Sequence, residues 1–172
     1  IVRHRAADTH GNSFTPHADW VYESTSMEAG VYGLGRFGSF WAATLAKHLS
    51  VGAWSRNPSR PVPAGVRAVS EEEVLRAPAL FLCVAISAFE EVVSRIATRV
   101  GRGVIVFDTC SVKVHPARVM ERLLPSGVEI VACHPMFGPD SARNGLGGLP
   151  IILWPVRAAE EHVRRWSSFF GA

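Results

Sequence analysis

Lysine is almost missing from this chain. It supplies two of the 18 basic residues, Lys47 and Lys113, and no Lys/Arg block occurs. The net charge of +3 is mild and dispersed, which argues against a nucleic-acid surface. Cysteine is scarce as well: Cys83, Cys110 and Cys133 have no metal-ligand spacing, and two lie inside expected strands. They read as buried free thiols in a reducing, cytoplasmic setting, with no metal site. No apolar run approaches the roughly 18–20 residues of a membrane span. Internal repeats and low-complexity tracts are absent too, which excludes solenoids and propellers. Charged residues make up only 19% and hydrophobic ones 48%, so a core can form and disorder of the whole is disfavoured. The 172 residues suit one domain.

Residues 1–26 lack any helical or strand period and mix His4, His10 and His17 with Gly, Ser, Thr and Pro. This segment is expected to be an irregular leader. It lacks the apolar core of a secretory signal, and Asp8, Asp19, Glu23 and Glu28 argue against a transit peptide. A plastid location stays open should the source be a plant. From Met27 to residue 172 a single domain is expected.

Across that domain strands alternate with helices. Strands are predicted at 29–32, 50–55, 79–85, 103–107, 128–133 and 150–154. Helices are predicted at 36–49, from Ser70, at 87–100, 114–124 and 158–170. Ser70-Glu71-Glu72-Glu73 and Ser87-Ala88-Phe89-Glu90 both have capping-box form. The alternation implies right-handed βαβ units and an α/β fold: a doubly wound, mostly parallel sheet of Rossmann type with helices on both faces.

Gly33-Leu34-Gly35-Arg36-Phe37-Gly38 matches G-x-G-x-x-G, with the strand before it and the helix after it that a dinucleotide loop requires. Gly33 allows the tight turn, Gly35 lets backbone approach a pyrophosphate, and Gly38 lets helix pack on strand. The end of the second strand, Trp54-Ser55-Arg56-Asn57, lacks the carboxylate that would bind a ribose 2′-hydroxyl. Ser55 and Arg56 instead suit a 2′-phosphate, which favours NADP over NAD; the alternative is that Arg56 is a solvated loop charge. Ala85-Ile86-Ser87 ends the third strand on the same edge, beside the expected cofactor.

Two further strand ends carry chemistry. Asp108-Thr109-Cys110-Ser111-Val112-Lys113 follows the fourth strand, and His134-Pro135-Met136-Phe137-Gly138-Pro139 follows the fifth. In a parallel sheet both converge with the glycine loop on one crevice. A histidine there can act as acid or base near neutral pH, or can simply be a loop residue. Cys110 has no neighbouring base to mark it as a nucleophile. Asp108 is expected to brace its loop, Asp140 and Ser141 to shape the loop after the histidine, and His115 to lie on the surface.

Together these segments resemble the prephenate/arogenate dehydrogenases of tyrosine biosynthesis, from Gly30 to about Ala172. The wording Met136-Phe137-Gly138-Pro139 is especially similar to the arogenate dehydrogenases of plants and related bacterial enzymes. The resemblance implies oxidative decarboxylation of a small molecule, arogenate or prephenate. Hydride passes from the hydroxyl-bearing ring carbon to the nicotinamide, carbon dioxide departs and the ring becomes aromatic. By the same resemblance His134 takes the hydroxyl proton and Ser111 hydrogen-bonds the same region. Thr109 and Lys113 would lie near nicotinamide or substrate, though Lys113 reads equally well as a loop cation at a helix start.

The family also carries a helical domain that builds a homodimer and grips the substrate carboxylates with basic residues. That domain would begin where this chain stops, at Ala172, so the chain is expected to be a fragment, to rely on a partner, or to have lost the activity. The substrate-holding arginine cannot be assigned. Another dehydrogenase of the superfamily, acting on a hydroxy acid or imine, and a non-catalytic NADP-binding module are the competing readings.

Overall fold

The computed structural model describes residues 27–171; the irregular leader expected over 1–26 lies outside the described residues. Seven strands form one sheet. They are β1 (Ala29–Tyr32), β2 (Val51–Trp54), β3 (Val66–Ala68), β4 (Ala79–Leu82), β5 (Ile105–Asp108), β6 (Glu129–Pro135) and β7 (Ile151–Arg157). The helices are α1 (Arg36–Leu45), α2 (Glu71–Val74), α3 (Phe89–Ile96), α4 (Val114–Leu123) and α5 (Glu160–Phe169).

The strand order is β3-β2-β1-β4-β5-β6-β7. The first six run parallel, and β7 pairs antiparallel with β6. The winding reverses between β1 and β4, and a crevice opens beyond the strand ends at such a switch point. The mostly parallel Rossmann architecture expected from the sequence is the one observed.

Strand side chains alternate between two cores, as a period of two requires. Phe81, Phe107, Val131 and Leu153 face α1 and α5 in an aromatic-rich cluster with Trp41, Trp166 and Phe169. Phe81 stacks on Phe107 with centroids 4.6 Å apart and planes 14° apart. Tyr32, Leu80, Leu82, Val106 and Ile130 face α2, α3 and α4 in a largely aliphatic cluster. There the Tyr32 hydroxyl donates to Glu71 and accepts from Arg95 at 2.6 Å, tying β1 to α2 and α3.

Several elements differ from expectation. The three residues of β3 were not foreseen, because Val66-Arg67-Ala68 is a half-exposed edge without an apolar run. The Ser70 capping box forms, with the Glu73 amide donating to Ser70 Oγ at 3.2 Å and the Ser70 amide donating to Glu73 at 2.9 Å. The Ser87 box does not form: a 3₁₀ turn, Ile86–Ala88, occupies that stretch, and α3 begins at Phe89 without a side-chain cap. Helix α1 ends at Leu45 and α3 at Ile96, each about one turn before the predicted end. Strand β6 runs two residues beyond its predicted end because β7 pairs with it there, so His134 lies within the strand opposite Ile152.

Candidate active site

The glycine loop joins β1 to α1 at the switch point. Gly33 has φ +106°, in the left-handed region, and a Cβ there would lie 2.5 Å from the Cys83 carbonyl oxygen. A Cβ on Gly38 would lie 1.9 Å from the Gly33 carbonyl oxygen, so only glycine closes the helix onto the turn. Gly35 is different, because nothing lies within 4 Å of a Cβ built there. It is also the N-cap of α1, and no side chain caps that end. Open space in front of uncapped helix amides fits a pyrophosphate, which would accept from those N–H groups at the positive end of the helix. Leu34 and Phe37 turn inward: Leu34 is buried, and Phe37 stacks on Trp41 at 5.7 Å. They support the loop from behind, leaving its backbone to face the crevice.

Arg36, at the first position of α1, reaches across to Asp140 in the loop after β6 at 2.5 Å, and Arg143 shares that carboxylate at 3.0 Å. The two arginines hold Asp140 below the usual carboxylate range. The expectation that Asp140 only shapes its own loop understated this. No spacing rule could have shown the pair, whose members are 104 residues apart.

At the end of β2, Ser55 Oγ accepts from the Asn57 amide at 3.3 Å, and Asn57 Oδ1 accepts from the Ser59 amide at 2.9 Å. Arg56 is exposed and enters no ion pair among the described residues. Beyond β4, Ala85 precedes the 3₁₀ turn and Ser87 lies exposed within it.

Asp108, the last residue of β5, is the one buried charged side chain among the described residues. Its Oδ1 accepts from the Cys110 amide at 3.0 Å and from Lys113 Nζ, while Oδ2 is buried without a partner. Burial pushes its carboxyl above the ordinary value, against the pull of Lys113 and the Cys110 amide. Lys113 sits at the start of α4, the place one sequence alternative gave it, and its Nζ also donates to the Cys133 carbonyl. Thr109 Oγ1 donates to the Leu82 carbonyl at 3.0 Å and is likewise committed to the sheet.

His134 follows Cys133 directly and is part-exposed. Burial first, and the Lys113 charge second, hold its imidazole below the ordinary histidine value, which favours the neutral form. Ser111 is exposed on the neighbouring loop and makes no hydrogen bond to His134 among the described residues. Cys110, beside the site, has its thiol pushed up to about 11 by burial and the Asp108 charge, so it is a poor nucleophile. Gly138 and Ser141 close the loop after β6 through an amide-to-hydroxyl bond of 2.9 Å.

Residues 60–170 match the family described as prephenate dehydrogenase, nucleotide-binding domain. The match includes the loops after β5 and β6. The chain is 30% identical over 152 residues to arogenate dehydrogenase 1, chloroplastic, of Arabidopsis thaliana, covering 84% of this chain and 24% of that protein. With arogenate dehydrogenase 2, chloroplastic, of the same plant it shares 29% over 150 residues, 83% of this chain and 42% of the relative. It therefore spans less than half the length of each of these two relatives. Among solved structures, Synechocystis arogenate dehydrogenase superposes with a TM-score of 0.66 at 23% identity, covering 83% of this chain and 55% of that one. A prephenate dehydrogenase from A. aeolicus, solved with hydroxyphenyl propionate and NAD+, also gives 0.66, at 18% identity, over 87% and 58% of the two chains. These two likenesses establish the fold. With the family match over 60–170, the chain belongs to the prephenate dehydrogenase family, in its nucleotide-binding domain.

Proposed function

We propose that this chain is the cofactor-binding and acid–base part of an NADP-linked dehydrogenase that oxidatively decarboxylates arogenate or prephenate. The observation that carries the reading is the placement, at the same edge of the sheet, of an open glycine cradle at Gly35 and of His134, whose imidazole burial holds below its ordinary value. The backbone of Gly33 to Gly38 would hold the pyrophosphate, with Leu34 and Phe37 as its support and Arg36 at its rim. Ser55 and Arg56 would hold the 2′-phosphate. Ala85 and Ser87 would flank the nicotinamide half, and Thr109 would lie near the nicotinamide or substrate. When bound, the nicotinamide supplies a hydride acceptor.

The protein's own task is the proton. Hydride departure from a carbinol carbon is assisted when a base removes the hydroxyl proton as the carbonyl forms, and neutral His134 is the base on offer. Ser111, exposed one strand away, would orient the substrate hydroxyl. Large apolar side chains lie exposed at the same edge, among them Ile86, Val112, Val114, Met136 and Ile152. They suit a site enclosed by a further helical domain of the kind the family resemblance implies, which would also supply the cations for the substrate carboxylates and the dimer contact. On this reading residues 27–172 alone bind cofactor better than they turn over substrate.

The test is reduction of NADP and of NAD with arogenate and with prephenate, comparing the wild type with His134→Asn. Turnover that prefers NADP and collapses in the variant is expected. Undiminished turnover in His134→Asn would remove the assigned base, and a clear NAD preference would remove the role of Arg56.

A further inference from the structure

Lys113 is one of the two lysines of the chain, and its position is unfavourable on two counts. It is the N-cap residue of α4, where the helix dipole disfavours a cation. Its ammonium, on a side chain still 24% exposed, also reaches to a fully buried carboxylate that has to be taken out of water. Buried pairs seldom repay their desolvation in net stability, so retention of one points to a task other than holding the fold together.

The geometry shows which group the pair acts on. Asp108 ends β5 in register with Ala132 of β6, and His134 lies two residues further along β6, on the same face. Lys113 Nζ bridges the Asp108 carboxylate and the carbonyl of Cys133, the peptide that leads directly into His134. We propose that Lys113 is a positioning residue for His134: clamped by Asp108, its ammonium holds the backbone that carries the imidazole and presents a fixed positive charge behind it. This rests on the reading of His134 as the proton acceptor, and it adds a device that sets that base's orientation and protonation.

The surroundings of the imidazole support an assignment to this one cation. From β7 it is faced by Ile152, and Ile151–Leu153 carries no titratable group. The end of β5 and the loop to α4 contribute Asp108, Lys113 and the Cys110 thiol, and His115, the second residue of α4, is exposed. On β6 itself Cys133 precedes His134 with a thiol raised well above its usual value, hence neutral. Beyond β6, Asp140 is neutralised by Arg36 and Arg143. Burial is the larger reason that the imidazole is held low, and Lys113 is the cation that adds to it; Asp108, paired with that ammonium, would set how much of its charge is felt.

The experiment is an NMR pH titration of the His134 imidazole, its signal assigned by disappearance in His134→Asn. In Lys113→Met the titration midpoint should rise toward the ordinary histidine value of about 6.5. In Asp108→Asn, which leaves the ammonium unbalanced, it should move the opposite way. Lys113→Arg keeps the charge and should hold the midpoint low. Should Lys113→Met fail to fold because Asp108 is left buried and unpaired, the double variant Lys113→Met/Asp108→Asn removes both charges and should show the same rise. An unchanged midpoint in the folded single or double variant, or an upward move in Asp108→Asn, overturns the proposal. Because the titration needs no turnover, inactivity toward arogenate and prephenate would defeat the functional reading while leaving this test decisive. If both hold, the acid limb of kcat in the double variant follows the NMR midpoint upward.

Discussion

The two walls of the crevice are built by opposite means. On the β1–α1 side the working surface is backbone, and it exists because side chains are missing: Gly33 and Gly38 leave room for the turn and Gly35 leaves room in front of the helix. On the β5–β6 side the working groups are side chains, held by a buried carboxylate, an inward-turned lysine and an antiparallel strand. The first wall is specified by local sterics and the second by long-range electrostatics. Damage to the first should therefore appear as lost cofactor affinity, and damage to the second as lost chemistry or a displaced pH profile.

The sharpest separation comes from His134→Asn. Removal of a positioned general base lowers rates by roughly 10²–10⁴-fold. The NADP dissociation constant, read by fluorescence titration, should stay within about twofold, because no atom of the glycine wall changes. A parallel loss of cofactor affinity would mean that the walls are not independent. The wild-type acid limb belongs to the same comparison. Since His134 must be neutral to accept a proton and its imidazole is held low, kcat should persist below the ordinary histidine value and fall only at more acid pH. A limb above that value would identify a different group.

Next in size are the two glycines of the first wall. Gly38→Ala places a Cβ 1.9 Å from the Gly33 carbonyl oxygen, a backbone clash that no rotamer relieves. It should cost about 2–3 kcal/mol in urea unfolding and abolish measurable NADP binding. Gly35→Ala meets nothing within 4 Å in the free protein, so the unfolding midpoint should barely move. Cofactor affinity should nonetheless fall roughly tenfold, because the methyl group stands where a phosphate must approach. Equal losses of stability in both variants would contradict the distinction between a packing glycine and a cradle glycine.

What could be read from the sequence divides along the same line. The glycine wall was legible almost residue by residue, since tight turns and close approaches leave a local signature at fixed spacing. Six of the seven strands follow from apolar runs, β1 at its observed bounds and the other five with ends misplaced by up to three residues. The half-exposed β3 left no such run, and the direction of β7 depends on pairing that the sequence does not display. The second wall was legible only as a set of names. That Asp108 closes an otherwise apolar strand, Ile105-Val106-Phe107, was a signal of a buried partner. The identity of that partner, and the turn of Lys113 inward, depend on how a loop folds back over a strand end. Likewise, the Ser87 capping box has the right residues but fails because a 3₁₀ turn leads into α3 and Ala88 takes the cap position.

The smallest expected effect tests the contact that joins the walls. Arg36 and Asp140 are exposed at 73% and 57%, so solvent screens the pair and its contribution to folding should be negligible. Its interest is positional. Arg36 is the first residue of α1, at the helix end where a pyrophosphate would bind, and in the free protein its guanidinium is engaged by the opposite wall. A bound pyrophosphate would compete with Asp140 for that guanidinium. Asp140→Asn should then leave the unfolding midpoint unchanged and tighten NADP binding slightly, by roughly two- to fivefold at low salt, with the gain disappearing at high salt. Arg36→Gln should weaken binding in the same assay. If Asp140→Asn instead weakens binding, the pair acts as a clasp that shapes the cofactor crevice, and the walls are coupled through Asp140 before any cofactor arrives.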